Sequence, residues 1–235
     1  GFGGGALQLH VGTNGDQINL MGFDPNDAYG AHAVDAFQFW DDNHQIMSQF
    51  SYQDLIDWGF DVVGTAGADT LTGTSASDLI LGLAGDDLIQ AGAADDQLVG
   101  GTGHDTLVGG VGSDDYRVSL GDGQDTVVDT AGTGDSLSYG ATINPLDLVL
   151  SRQANDLRVA IHGSADQVTV QDWYLGASHQ IETIQAGNGQ TLLSTQVDQL
   201  TQAMASFSQQ TGLTWDQAID QRPQEVQTVL AASWQ

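Results

Sequence analysis

Apolar positions in the middle of the chain recur at a fixed distance from an acid. Between Gly64 and Arg117 an aspartate is followed two residues later by an apolar or aromatic side chain: Asp69/Leu71, Asp78/Ile80, Asp87/Ile89, Asp96/Leu98, Asp105/Leu107 and Asp114/Tyr116, each pair nine residues after the last. Glycine crowds the five positions before each aspartate. Nine residues are too few for a pair of helices, and each glycine costs a helix interior about 1 kcal/mol. The unit therefore predicts a turn and a short strand, repeated along a solenoid. After Asp114 the period breaks, and Tyr116 to Val127 reads as an aromatic closing repeat in which Asp125 supplies the next carboxylate.

The flanks alternate apolar and polar residues, the period of half-buried strands. Leu7-Gln8-Leu9-His10-Val11, then Gly15-Asp16-Gln17-Ile18-Asn19-Leu20, has a counterpart 150 residues on in Leu157-Arg158-Val159-Ala160-Ile161 and Ala165-Asp166-Gln167-Val168-Thr169-Val170. Val34 to Phe39 likewise corresponds to Ile181 to Gln185, and an apolar helical start follows each, at Tyr52 to Trp58 and Val197 to Ala203. Thr13-Asn14-Gly15-Asp16 and Gly187-Asn188-Gly189 supply hairpin turns. One β-rich module is thus expected on each side of the solenoid, covering its open coil and unpaired strand edge.

Beyond Ser194 glycine nearly disappears. Val197, Leu200, Met204 and Phe207 fall on one helical face, Thr214-Trp215-Asp216-Gln217 has the form of a capping box, and Pro223 opens a last amphipathic segment with Val226, Val229, Leu230 and Trp234. The expected organisation is an N-terminal capping module (1–62), the repeat solenoid (63–140), a second capping module (141–194) and a helical tail (195–235).

Charge then narrows the chemistry. Against 31 acidic residues stand 4 arginines and no lysine, a formal charge of -27, which excludes nucleic acid and anionic membranes as partners and calls for a cation. With 40% hydrophobic residues, 31 glycines and 3 prolines the composition is that of a folded, turn-rich chain. No cysteine is present, so disulfides, thiolate metal sites and thiol nucleophiles are excluded. No apolar run approaches the roughly 20 residues of a membrane helix. The opening Gly-Phe-Gly-Gly-Gly carries no initiator methionine, and an upstream domain of the same polypeptide is expected.

Glycine permits left-handed backbone angles, so a six-residue turn can curl its carbonyls inward while its closing aspartate adds a carboxylate. Such an all-oxygen nest suits a hard cation, and calcium fits more readily than magnesium, which demands tighter octahedral geometry.

The consensus G-G-x-G-x-D-x-U-x resembles the RTX, or haemolysin-type calcium-binding, nonapeptide, and the flanks are similar to the haemolysin-type calcium-binding-related module. The resemblance implies an all-β solenoid, a right-handed parallel β-roll with several Ca2+ ions held between turns eighteen residues apart. It further implies carbonyls from the first, third and fifth positions of the earlier turn, and from the second and fourth of the later turn together with its aspartate. The implied metal-binding set is Asp69, Asp78, Asp87, Asp96, Asp105, Asp114 and Asp125, with Gly64, Ala66 and Ala68; Gly82, Leu83, Ala84, Gly85 and Asp86; Gly100, Gly101, Thr102, Gly103 and His104; and Gly110, Gly112 and Gly123. Alanine at the fourth position, Ala76 and Ala94, disfavours a positive φ and predicts weaker calcium binding on that edge.

Catalysis has little support. The histidines at 10, 32, 44, 104, 162 and 179 have no paired ligand spacing, and no G-x-S-x-G elbow or phosphate loop occurs. Asp24-Pro25 is read as a turn. The resemblance implies a secreted, extracellular or cell-surface protein that folds on meeting external calcium, with the tail as a signal read transiently by type I secretion machinery and no membrane insertion. An adhesive, glycan-binding or surface-layer module, with the roll as spacer, is the alternative.

Overall fold

A strand every nine residues, dealt alternately to two sheets, makes a β-solenoid. The computed structural model describes residues 6–11, 16–21, 24–30, 36–40, 46–57 and 59–235. The strands among them are β1 (Ala6–Val11), β2 (Asp16–Met21), β3 (Ala36–Trp40), β4 (Ile46–Ser51), β5 (Phe60–Val63), β6 (Thr70–Thr72), β7 (Asp78–Ala84), β8 (Leu88–Ala93), β9 (Gln97–Thr102), β10 (Thr106–Val111), β11 (Asp115–Val118), β12 (Gln124–Val127), β13 (Ser136–Tyr139), β14 (Leu148–Gln153), β15 (Asp156–Ile161), β16 (Gln167–Val170), β17 (Thr183–Gln185) and β18 (Thr191–Leu193). The helices are α1 (Tyr52–Asp57), α2 (Ser194–Thr211), α3 (Trp215–Gln221) and α4 (Pro223–Leu230).

One sheet runs β6-β8-β10-β12 and the other β5-β7-β9-β11-β13, parallel throughout. Eighteen residues make one coil, so equivalent repeat positions stack: Ile80 lies beside Leu98 and Leu98 beside Tyr116 in one sheet, Ile89 beside Leu107 in the other. These five side chains are fully buried between the sheets. Each contributes about 1.5–3 kcal/mol on leaving water. The stacks continue past the point where the period breaks, through Leu107↔Val127 and Tyr116↔Leu137.

They continue again into the second capping module. β16 pairs with β12 (Val127↔Val170) and β17 with β13 (Leu137↔Ile184), both parallel. The hairpins β14-β15-β16 and β17-β18 then end each sheet with antiparallel strands. Both sheets therefore cross the expected boundary at residue 140 without a break. The duplication inferred from the 150-residue offset is visible in the hairpin registers: Leu7↔Leu20 and Leu9↔Ile18 in β1-β2 match Leu157↔Val170 and Val159↔Val168 in β15-β16. The β3-β4 hairpin precedes α1 just as β17-β18 precedes α2.

The Gly187–Gly189 turn closes β17-β18, with Gln190 N donating to the Asn188 side chain at 3.0 Å. The hairpin turn expected at Thr13-Asn14-Gly15-Asp16 falls largely outside the described residues. Asp24-Pro25 begins a single 3-10 turn in which Asn26 N donates to Asp24 Oδ1 at 3.0 Å.

The tail is docked. Val197, Leu200 and Met204 of α2, Trp215, Ala218 and Ile219 of α3, and Val226 and Leu230 of α4 join the same core as the roll. The capping box holds at Thr214, which accepts from Gln217 N at 3.2 Å while its own N–H donates to Gln217 Oε1 at 3.0 Å. No described helix is long and apolar enough to cross a membrane.

Candidate metal centre: two files of carboxylates

Because equivalent positions stack, the aspartates line up along the two edges of the roll, each reaching back to the turn before it. On one edge Asp69 N donates to Asp87 Oδ1 at 2.8 Å, Asp87 N to Asp105 Oδ1 at 2.8 Å and Asp105 N to Asp125 Oδ1 at 3.0 Å. On the other, Asp78 N donates to Asp96 Oδ1 at 2.8 Å and Asp96 N to Asp114 Oδ1 at 3.0 Å. That file does not stop at Asp114, whose N–H donates to Asp135 Oδ1 at 2.8 Å. Asp135 N in turn donates to Glu182 Oε2 at 2.8 Å.

One carboxylate oxygen is thereby used. The second oxygen of Asp87, Asp96, Asp105 and Asp114 is buried and has no hydrogen-bond partner. An unpaired buried charge is among the costliest groups a fold can carry. Burial pushes Asp96 up to about 8, with Asp78, Asp114 and Asp95 adding repulsion. It pushes Asp78 and Asp114 up to about 6 and Asp125 up to about 7. Asp105 is raised for the same reason, with Asp87, Asp86 and Asp122 contributing. Stacked, dry, like-charged oxygens are the environment that a bound cation would relieve.

The backbone supplies the other donors. Third-position carbonyls point back toward the preceding turn, Thr102 O accepting from Gly85 N at 2.9 Å and Asp122 O from Gly103 N at 2.7 Å. Second-position carbonyls point forward, Thr65 O accepting from Ala84 N at 3.4 Å and Thr74 O from Ala93 N at 3.2 Å. A Cβ at Gly110 would collide with the forward-pointing carbonyl of Gly92, and one at Gly100 with its own turn's Asp105 carboxylate. The space between two turns thus faces even positions of the earlier turn and odd positions plus the aspartate of the later one. This corrects the parity that the resemblance implies: a parallel strand's peptide planes alternate in direction, and here the second position points forward.

From the turn at 82–87 onward the second and fourth positions take positive φ in every repeat, as Gly101 (93°), Gly103 (149°), Gly110 (107°), Gly112 (151°) and Gly123 (108°) show. Two residues do so without being glycine, Leu83 and Ala94, both at 77°. A left-handed angle costs an L-residue about 1–2 kcal/mol. Ala94 therefore adopts the angle that alanine disfavours, Ala76 does not need it, and Leu83 places equal strain on the opposite edge.

The first turn on each edge is built differently. Asp69 Oδ2 accepts from Thr65 N at 2.6 Å and Thr65 Oγ1 at 2.8 Å. Asp78 Oδ2 accepts from Thr74 N at 2.5 Å, and the Thr74 hydroxyl also accepts from Ala76 N at 3.0 Å. With no preceding repeat turn to face, these two aspartates close their own turns, and by the same parity the odd positions Gly64, Ala66 and Ala68 face away from the first inter-turn space. Asp86, expected to contribute only its carbonyl, also reaches the next turn, its Oδ1 accepting from His104 N at 2.9 Å; Asp95 does the same for Ser113 N at 2.8 Å.

Three acidic residues of these files escaped the nine-residue search: Asp135, Asp166 and Glu182. Asp166 ends the first file, Oδ2 accepting from Gly121 N at 2.9 Å and Oδ1 from Gly123 N at 3.1 Å. The signal was present, since Asp135/Leu137, Asp166/Val168 and Glu182/Ile184 keep the acid two residues before an apolar side chain. Among the described residues no three acidic or histidine side chains converge on one point. Sites that draw one carboxylate per turn and the rest from carbonyls need no such cluster. Oxygen-only donors fit Ca2+.

Comparison with known proteins agrees with this geometry. The family described as RTX calcium-binding nonapeptide repeat (4 copies) matches residues 63–98, 81–116 and 90–127. The haemolysin-type calcium binding protein related domain matches residues 156–195. Among solved structures, the extracellular lipase LipA from Serratia marcescens aligns at 21% identity and a TM-score of 0.36, covering 70% of this chain and 24% of that one. The chain thus spans about a quarter of that relative.

Proposed function

We propose that this chain is an RTX calcium-binding repeat protein whose repeats bind several Ca2+ ions, and that calcium does not decorate a finished roll but folds it. The observation that carries this reading is the four buried carboxylate oxygens left without a partner, two on each edge. Where calcium is scarce, their mutual repulsion, within a chain of net charge -27, opposes stacking of the coils. Millimolar calcium, the range in which extracellular modules bind, removes that opposition, and binding free energy becomes folding free energy.

Such a chain stays extended where it is made and folds once outside. That suits passage through a type I secretion channel and gives export a direction. The roll and second module then act as a non-catalytic folding unit for whatever domain precedes them in the polypeptide. An adhesive role needs aromatic side chains at a cap surface; in the second module Trp173 is 1% exposed and Tyr174 lies half-buried under Arg152, 4.1 Å from its ring centre, while Tyr29 of the first module is exposed.

Far-UV circular dichroism during a calcium titration tests this proposal. A cooperative gain of strand signal in the millimolar range is expected. A spectrum in excess chelator identical to that in calcium refutes it.

A further inference from the structure

Helix α2 lies across β14 without closing on it. A cavity of about 490 Å³ remains between them, within the size range of small-molecule sites. Val149 and Leu150 of β14 and Met204 of α2 give it an apolar lining, and Tyr174 and Trp215 add aromatic rings. Trp215 is 5% exposed and packs edge-on against Phe207 at 5.5 Å, and its Nε1–H has no hydrogen-bond partner. The Tyr174 hydroxyl is buried and unpartnered too. Folded proteins rarely leave buried polar groups unmet, so two on one cavity point to an occupant that meets them.

Two charges of opposite sign line the same cavity without pairing. Arg152 is oriented from two sides, Nε donating to Ala154 O at 2.9 Å and the guanidinium carbon lying 4.1 Å from the Tyr174 ring centre. Its terminal nitrogens are left over. Elsewhere arginines find acids, Arg117 pairing with Asp115 at 2.6 Å and Arg222 with Glu225 at 3.5 Å. Arg152 has no ion-pair partner among the described residues, and neither has Asp198, which lines the cavity from α2.

We propose that this cavity binds a free amino acid with an apolar side chain. The ligand carboxylate meets Arg152, its ammonium group meets Asp198, and its side chain lies against Val149, Leu150 and Met204. A carboxylate also brings acceptor oxygens to a site with two unmet donors. The chain's net charge of -27 opposes a simple anion, whereas a zwitterion carries no net charge. The site is built from the second module and the docked tail, apart from the carboxylate files, and goes beyond the calcium-folding reading.

Isothermal titration calorimetry of the whole chain in saturating calcium, with L-leucine, L-methionine and L-phenylalanine, tests this. Isocaproate, which lacks the ammonium group of leucine, and isoamylamine, which lacks its carboxylate, are the controls. Leucine is expected to bind about tenfold more tightly than either, the loss that one charge-assisted hydrogen bond implies. Arg152→Gln and Asp198→Asn replace exposed side chains, so the circular dichroism spectrum should stay that of the wild type while leucine binding weakens about tenfold in each. In Asp198→Asn leucine and isocaproate should bind alike, a convergence that general loosening of the cavity does not produce. No heat from any of the three amino acids overturns the site. Isocaproate binding the wild type as tightly as leucine, or unchanged leucine affinity in either variant, overturns the assignment of a zwitterion, and the wild-type comparison decides the matter if a variant fails to fold.

Discussion

Acid should strengthen the roll when calcium is absent and weaken it when calcium is present. A carboxyl group whose folded pKa lies above its unfolded value binds more protons in the folded chain across that interval, so its stabilising contribution is complete below the unfolded value and is lost as pH rises through the folded one. The window runs from 3.8 to about 6 for Asp78 and Asp114 and to about 8 for Asp96. At 1.36 kcal/mol per pH unit, acidifying from about pH 7.5 to about pH 5 returns roughly 3 kcal/mol through Asp96 and roughly 1 kcal/mol each through Asp78 and Asp114. With calcium bound the sign reverses, because ligand carboxylates must lose their protons to hold the metal.

The assay is urea unfolding followed by circular dichroism at both pH values, in chelator and in saturating calcium. General charge repulsion also eases in acid, so the chelator series is repeated at about 1 M salt, which screens surface charges beyond about 3 Å but not buried pairs. A chelator-treated chain that loses stability on acidification, in parallel with the calcium-bound one, refutes the placement of these carboxylates in a dry interior.

Three further outcomes follow from particular residues. Ala94→Gly relieves a left-handed alanine at the cost of a looser unfolded chain, and should stabilise the calcium-bound roll by about 0.5 kcal/mol in urea unfolding, a gain that Ala93→Gly should not give. Leu107→Ala removes a buried stacked side chain and should cost about 2–5 kcal/mol in the same assay with calcium present. His162 sits between Asp216 and Asp220 of α3, Nδ1 at 3.0 Å and Nε2 at 3.2 Å, and these contacts raise its pKa, the Asp216 hydrogen bond most. Its contribution to tail docking is full below 6.5 and lost as pH rises through the raised value; Trp215 fluorescence should follow that loss in the wild type and be flat in His162→Gln.

The sequence was most legible where one physical constraint repeats. Nine-residue spacing and the acid-then-apolar pair located both sheets, because parallel coils of eighteen residues bring like onto like. The 150-residue echo located the two strands of the β15-β16 hairpin, and Thr214 announced its helix. Past Asp114 the loops lengthen, so Asp125 follows Asp105 by 20 residues and Asp135 follows Asp114 by 21; the aromatic closing repeat still reaches Asp125, whereas a fixed period misses Asp135. Glu182 lies 47 residues beyond Asp135 and becomes its neighbour only through β13-β17 pairing. Carbonyl direction was illegible for another reason: it is a property of peptide planes, and no side chain records it. Asp69 and Asp78 carry the same motif as their successors and differ only in having no earlier repeat turn to face.

The most direct test of the central claim is hydrogen–deuterium exchange resolved by segment, with and without calcium. The account predicts that backbone amides of β6 to β13 exchange freely in chelator and become protected together as calcium is added. Equal protection of those strands in chelator and in calcium would contradict it.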